Sequence, residues 1–97
     1  MSDIALLQQN KDIFEKYGTA YAGLFGSRAR GNAHEDSDYD IVVKLKKPIG
    51  LFTFTGFQLE LEDRLQKKVD LMTEASITPR IKLQALNDLK IFYGQRE

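Results

Sequence analysis

Apolar residues recur at the three-to-four-residue spacing of a helix in three segments of the chain. This pattern predicts helices over residues 3–17, from residue 52 or 56 to residue 67, and from residue 79 to residue 90 or 92. The Thr78-Pro79 pair marks the start of the last helix, because threonine caps a first turn and proline fits inside it. Each predicted helix is amphipathic and is expected to pack one face against a core.

Three shorter apolar runs lie between these segments and have the length of strands. They cover residues 19–25, 39–45 and 69–72, and the second is rich in β-branched side chains. Residues 28–30 can form a short helix that Gly31 ends, and residues 32–37 are polar and predict a loop. The predicted order is therefore helix, strand, short helix, strand, helix, strand, helix.

Length and composition restrict the class of protein. The 97 residues are enough for a single domain, 1–97, and too few for a separate substrate-binding domain. Lysine plus arginine equals aspartate plus glutamate at 14 each, so no global basic field favours direct nucleic-acid binding. The chain has no cysteine, no apolar run long enough to span a membrane and no signal-peptide pattern. We therefore expect a cytoplasmic protein without a membrane partner.

Two aspartates at the start of the second predicted strand suggest a metal site. Alternation along a strand points Asp38 and Asp40 to the same side, about 7 Å apart. Two carboxylates so placed repel each other unless a cation lies between them. Their hard oxygen ligands favour Mg²⁺ and would also accept Mn²⁺.

The segment just upstream has the composition of a phosphate-binding turn. Gly26 allows backbone N–H groups to approach an anion closely, and Ser27 can donate its hydroxyl. Arg28 or Arg30 can add charge-assisted hydrogen bonds, and the sequence does not choose between them. The alternative is that both arginines pair on the surface with acidic residues of the following loop, Glu35 and Asp36.

A third carboxylate would complete such a site, and Asp70 in the third predicted strand is the best candidate. If the second and third strands are neighbours, Asp70 lies beside Asp38 and Asp40. Three carboxylates can hold two metal ions that stabilise an in-line displacement at phosphorus. Asp70 could also accept the proton of the attacking hydroxyl. The alternative is that Asp70 only caps the end of its strand.

These motifs, taken together and in order, resemble the minimal nucleotidyltransferases of the polymerase-β-like superfamily. The resemblance rests on Gly26-Ser27-Arg28-Ala29-Arg30-Gly31, Ser37-Asp38-Tyr39-Asp40-Ile41 and Val69-Asp70-Leu71. It implies an α/β (α+β) fold with a small mixed sheet of three or more strands flanked by helices. It also implies that Ser27 holds a triphosphate, that Asp38 and Asp40 bind Mg²⁺, and that Asp70 completes the metal site.

The resemblance further implies an activity and a partner. Proteins of this small type often act as antitoxins of α-helical HEPN ribonuclease toxins, and some transfer AMP from ATP to a tyrosine of the toxin. The expected function is thus Mg²⁺-dependent adenylyl transfer to a HEPN toxin. Two alternatives remain: neutralisation of the toxin by binding alone, and transfer to a small molecule such as an aminoglycoside.

Other candidate residues have simpler interpretations. The single histidine, His34, lies in the polar loop and is expected to be exposed, and Tyr39 is expected in the core. Phe52, Phe54 and Phe57 form an aromatic cluster that is predicted to be buried. If part of that cluster is exposed, it becomes a surface for a partner protein.

Overall fold

The computed structural model describes residues 2–96, in which helices pack against one four-stranded sheet. The elements are, in chain order, α1 (Asp3–Gln9), α2 (Lys11–Lys16), β1 (Thr19–Phe25), α3 (Gly26–Arg30), β2 (Tyr39–Leu45), α4 (Leu51–Leu65), β3 (Val69–Thr73), a 3₁₀ turn (Glu74–Ser76), α5 (Pro79–Asp88) and β4 (Lys90–Gly94). The predicted α/β class is confirmed. Within the described residues, no helix is both long and apolar enough to cross a bilayer.

The sheet is mixed, as expected, and its strand order is β3-β2-β1-β4. Strand β1 pairs antiparallel with both β2 and β4, whereas β2 and β3 run parallel. A parallel pair needs a crossover, and α4 provides it. The start of β2 and the start of β3 therefore lie side by side, although about thirty residues separate them in sequence.

The core lies between the sheet and the helices α1, α2 and α4. Phe14 of α2 is fully buried and meets the rings of Phe57 and Phe92 edge-on, with centroids 5.6 and 5.0 Å away. Tyr17 stacks on Phe57 at 4.4 Å. Burial of each large apolar side chain contributes about 1.5–3 kcal/mol, so these aromatic contacts join α2, α4 and β4 to one core.

The predicted helix over residues 3–17 is wrong in one respect, because it is broken at Asn10. The side-chain amide of Asn10 donates a 2.9 Å hydrogen bond to the Leu6 carbonyl, which a continuous helix would bond to the Asn10 backbone N–H. The Asn10 backbone N–H bonds to the Leu7 carbonyl instead. An asparagine side chain that competes for backbone partners in this way ends a helix. Two short helices, α1 and α2, therefore replace one long helix.

The predicted end of the last helix is also wrong. Helix α5 ends at Asp88, and residues 90–94 form β4 at the edge of the sheet. Ile91, Phe92 and Tyr93 are β-branched or aromatic, so they suit a strand once β1 offers hydrogen-bond partners. The apolar pattern continued through these residues, and nothing local to them revealed the pairing with a strand seventy residues earlier.

Candidate active site

Asp40 and Asp70 stand opposite each other in the parallel register of β2 and β3. The same strand β2 pairs Asp40 with Phe25, the last residue of β1, on its other side. The chain therefore leaves β1 and enters the Gly26–Ser27 turn directly beside Asp40. The fold thus brings together the predicted phosphate-binding turn and two of the predicted metal ligands.

Gly26 is packed against the Asp40 side chain. Its φ of +75° lies in the left-handed region, and a Cβ atom at this position would overlap the Asp40 carboxylate. Glycine is needed here both for the backbone conformation and for the space. Because no side chain intervenes, the backbone of the turn is directly adjacent to the carboxylate.

Asp40 lies in an electrostatic environment that disfavours its ionised form. Burial raises the pKa of Asp40, and the negative charges of Asp70 and Asp38 raise it further, in that order. Arg30 acts in the opposite direction and lowers the pKa of Asp40. The three aspartates are thus close enough for their charges to interact, although Asp38 and Asp70 are exposed.

The donor chemistry of these aspartates fits a divalent cation such as Mg²⁺. Oxygen ligands from carboxylates are what Mg²⁺ prefers, and a cation would relieve the repulsion that raises the Asp40 pKa. Within residues 2–96 the structure has no group of three histidine or acidic side chains already gathered at metal-binding distances. The aspartates are close enough for their charges to interact, but they do not form a preassembled three-ligand metal site.

Ser27 occupies the first turn of α3 and is half-buried. The helix is only five residues long and ends at Gly31, whose φ of +81° gives a left-handed cap. The N–H groups of Gly31 and Asn32 both bond to the Ser27 carbonyl. This closed turn holds the Ser27 backbone in place at the C-terminal end of β1.

Arg30 is the arginine whose charge lowers the pKa of Asp40. Its Nη1 donates a 3.0 Å hydrogen bond to Asp88 at the end of α5, and its side chain is 44% exposed. An ion pair this exposed is worth little, so an incoming anion can compete with Asp88 for the guanidinium. Its effect on the pKa of Asp40 shows that its charge acts at the carboxylate site.

Arg28 has different surroundings, since its side chain is only 8% exposed. It forms an ion pair with Asp3 of α1, donates hydrogen bonds to the Glu35 and Ser37 carbonyls, and lies over the Tyr39 ring. The alternative from sequence, pairing with the Glu35 or Asp36 carboxylates, is therefore wrong. Among the described residues, the ion-pair partners of the two arginines are Asp3 and Asp88.

The sequence pattern missed the role of Asp3, which lies at the start of the first predicted helix. Ser2 caps α1 through a 3.1 Å hydrogen bond from the Ala5 N–H to its hydroxyl. Asp3 accepts hydrogen bonds from Arg28 and from the Tyr39 hydroxyl. Tyr39 is buried as predicted, but its hydroxyl group belongs to this polar cluster. No local signal connects three residues so far apart in sequence.

The predicted aromatic cluster is divided between the core and the surface. Phe57 is fully buried, whereas Phe52 is 93% exposed and its neighbour Leu51 is 77% exposed. These two residues begin α4 beside an apolar groove of about 900 Å³, which is lined by the ends of β2 and β3. The aspartates do not line this groove, so it is not the candidate active site.

Two comparisons of the sequence agree on its family. Residues 8–97 match the family described as Polymerase beta, Nucleotidyltransferase. The chain is 40% identical over 76 residues to a proposed protein adenylyltransferase of Methanocaldococcus jannaschii, which covers 78% of this chain and 82% of the relative. It is 34% identical over 84 residues to protein adenylyltransferase MntA of Thermococcus cleftensis, with 87% and 85% covered. The chain therefore belongs to the polymerase-β-type nucleotidyltransferases.

A solved structure gives the same result for the fold. The fold of the chain is similar to that of a chain in the structure of the tri-AMPylated Shewanella oneidensis HEPN toxin in complex with MNT antitoxin, with a TM-score of 0.70. The match has 22% identity and covers 92% of this chain and 71% of that chain. At this identity the likeness establishes the shared fold, which is the one that the sequence motifs implied.

Proposed function

We propose that the protein transfers an adenylyl group from ATP to a tyrosine hydroxyl on a partner HEPN ribonuclease toxin in the cytoplasm, and so acts as its antitoxin. The observation that carries the proposal is the placement of Asp40 between Asp70 and the Gly26 turn. Relatives that match most of this chain are named protein adenylyltransferases, which supports the choice of AMP and of a protein acceptor.

Each residue of the site has a role in this reaction. Asp38, Asp40 and Asp70 would hold Mg²⁺, two ions in the full site, with Mn²⁺ as a substitute. Such a metal supplies positive charge that stabilises the phosphate oxygens during transfer. Gly26, Ser27 and Arg30 bind the triphosphate through the turn backbone, a hydroxyl and a guanidinium.

The transfer forms one bond and breaks another. The acceptor oxygen bonds to the α-phosphorus of ATP while the bond from that phosphorus to the pyrophosphate oxygen breaks. Asp70 accepts the proton that the acceptor hydroxyl releases, because it is an exposed carboxylate next to Asp40 and can meet a hydroxyl arriving from outside. The products are the AMP-modified acceptor and pyrophosphate.

An exposed apolar surface on the described domain fits a protein acceptor. Residues 2–96 form one sheet with its helices, and the surface lies at the start of α4. Leu51 and Phe52 offer the partner an exposed apolar surface, and large exposed rings are typical of protein–protein contacts. Because Leu51 follows the end of β2 and Asp40 lies near its start, the partner would extend along the sheet to bring its acceptor hydroxyl to the aspartates.

The direct test is to incubate the protein with labelled ATP, Mg²⁺ and a purified HEPN toxin, and to look for label on the toxin. Asp38→Ala and Asp40→Ala should abolish labelling. Asp36→Ala is the matched control, because it removes an exposed carboxylate from the same loop and should leave labelling intact. Equal labelling by all three variants would refute the site.

Neutralisation by binding alone is a second candidate, favoured by the exposure of Phe52. The two functions differ in their need for nucleotide. If a variant with both Asp38→Ala and Asp40→Ala inhibits the toxin fully without ATP, binding alone is sufficient. If inhibition requires ATP and both aspartates, adenylyl transfer is the antitoxin mechanism.

A further inference from the structure

We propose that Arg28 is a positioning residue that fixes the backbone on both sides of Asp38, rather than a ligand of the nucleotide. The inference rests on the proposed function and assigns a new role within that site. It follows from the low exposure of the Arg28 side chain, 8%, and from the contacts that already engage its guanidinium on Asp3, the Ser37 and Glu35 carbonyls and the Tyr39 ring.

The contacts of Arg28 lie on either side of Asp38. On one side, Nε and Nη2 donate hydrogen bonds of 3.0 and 2.7 Å to the carbonyl of Ser37. On the other side, the guanidinium carbon lies 4.0 Å from the centre of the Tyr39 ring. Asp38 is the residue between these two anchors, so Arg28 restricts the backbone that carries the Asp38 carboxylate.

The rest of the loop is held by the same group. Nη2 also donates a 3.1 Å hydrogen bond to the Glu35 carbonyl, and the Ser37 N–H donates to the His34 carbonyl. These bonds order the loop between α3 and β2, which contains no regular secondary structure of its own. A loop without such bonds would place Asp38 over a range of positions relative to Asp40.

Asp3 holds Arg28 in this orientation. Both carboxylate oxygens of Asp3 accept hydrogen bonds from Nη1 at 3.2 Å, and Oδ1 also accepts one of 3.0 Å from the Tyr39 hydroxyl. Asp3 therefore neutralises a buried guanidinium and connects it to the ring beneath it. A nucleotide anion would therefore have to displace Asp3 from a guanidinium that is only 8% exposed and already bonded on three sides.

The position requires arginine because the contacts use the whole planar guanidinium. Three nitrogens point to three groups, and the plane covers an aromatic face. Lysine keeps the charge but has a single nitrogen, so it cannot bind the Ser37 carbonyl twice and also reach Asp3 and the ring. Arg28→Lys therefore tests geometry at constant charge.

We expect Arg28→Lys to lower kcat for toxin labelling by roughly 10–100-fold, as is typical for residues that orient metal ligands. The KM for ATP should stay within about twofold of the wild-type value, because no contact with the triphosphate is lost. Arg64→Lys is the matched control, since Arg64 also pairs with acidic groups, Asp12 and Glu60, but lies away from the site. A tenfold rise in KM with unchanged kcat would instead make Arg28 a phosphate ligand.

Amide hydrogen exchange provides a test that does not depend on activity. In Arg28→Lys the N–H groups of Ser37 and Tyr39 should exchange about tenfold faster, because charge-assisted hydrogen bonds nearby are lost. The N–H of Val43 in the same strand should not change. Asp3→Asn keeps Arg28 but weakens its ion pair, so the Ser37 and Tyr39 N–H groups should again exchange faster, by a smaller factor. This variant provides the test if Arg28→Lys does not fold.

The two hypotheses fail in distinguishable ways. If the wild-type protein labels no toxin, the proposed function is wrong, and the exchange rates still decide the role of Arg28. If the wild type is active but Arg28→Lys and Asp3→Asn match it in both kcat and exchange, the positioning role is wrong and the function stands.

Discussion

Gly26 and Asp40 are packed so closely that any side chain at position 26 would occupy the space of the Asp40 carboxylate. The contact arises because β1 ends at Phe25, directly opposite Asp40, and the chain then turns through a positive φ. One contact therefore positions both the proposed phosphate-binding turn and the strand that carries the proposed metal ligands. A change at Gly26 should affect both parts of the site.

Gly26→Ala is expected to abolish toxin labelling and to lower the free energy of unfolding. The left-handed backbone alone costs a residue with a Cβ about 1–2 kcal/mol, and displacement of the Asp40 carboxylate adds to that cost. Urea unfolding and the labelling assay measure the two effects.

Gly18→Ala separates these contributions. Gly18 also has a positive φ, +70°, but a Cβ there would have no neighbour within 4 Å. This variant should lose only the backbone contribution and should keep its activity. If Gly26→Ala and Gly18→Ala are equally stable and equally active, the contact between Gly26 and Asp40 contributes to neither stability nor activity.

Asp40→Asn should stabilise the metal-free protein while it removes activity. Burial and the neighbouring aspartates raise the pKa of Asp40, so its ionised form is disfavoured in the folded state. This penalty is present above the folded pKa and disappears when the group is protonated or replaced. Removal of such functional-site strain commonly gains about 0.5–2 kcal/mol.

Unfolding measured without and with Mg²⁺ tests this prediction. Mg²⁺ should raise the unfolding free energy of the wild type, because it binds the folded state, and should raise that of Asp40→Asn less. Asp36→Asn serves as the control for removal of a loop charge. A less stable Asp40→Asn in metal-free buffer would show that the carboxylate is not under electrostatic strain.

The pKa of Asp40 itself should depend more on Asp70 than on Asp38. Both raise it, and the contribution of Asp70 is the larger, as expected for its partner in the strand register. Carboxyl titration by NMR should therefore show a lower Asp40 pKa in Asp70→Asn than in Asp38→Asn, with both below the wild-type value. The reverse order would mean that the loop, rather than β3, is the nearer source of charge.

The pairing of Asp40 with Asp70 could be predicted from sequence, because a βαβ connection through α4 makes β2 and β3 parallel neighbours. Strand alternation also placed Asp38 on the face of Asp40, whereas Asp38 precedes β2 and lies in the loop. The cluster of Asp3, Arg28 and Tyr39 could not be predicted in this way. Its members lie on three separate elements, and each has a sufficient local explanation as a cap, a phosphate ligand or a core residue.

The two errors in the predicted helices have a similar cause, since both depend on hydrogen-bond partners that the apolar pattern does not show. Apolar spacing predicted a continuous helix through Asn10. In the structure the Asn10 side-chain amide bonds to the Leu6 carbonyl in place of the Asn10 backbone N–H, and apolar spacing does not reveal this competition. Strand β4 depends on an edge that β1 exposes, and that edge exists only in the folded sheet. Periodicity identified the apolar faces, whereas the hydrogen-bond partners of the backbone decided where each element ended.

Tyr21 is expected to make the protein sensitive to alkaline pH, independently of the active site. Its hydroxyl is buried and donates a 2.6 Å hydrogen bond to Glu74, which is also bound by Arg96. Burial first, and then the hydrogen bond to Glu74, raise the pKa of Tyr21 to about 12. The folded pKa thus lies above the unfolded value near 10, so the folded state holds the phenolic proton more tightly.

The stability that Tyr21 contributes should therefore be complete below pH 10 and should be lost as the pH rises through about 12. Two pH units correspond to about 2–3 kcal/mol. Urea unfolding of the wild type and Tyr21→Phe at several pH values isolates this effect, since Tyr17 and Tyr39 are present in both proteins. The wild type should be the more stable at pH 8, and its advantage should shrink by that amount between pH 10 and 12. Stability curves that stay parallel would mean that the Tyr21 proton is not held by the fold, because only a pKa difference between the folded and unfolded states can change the gap with pH.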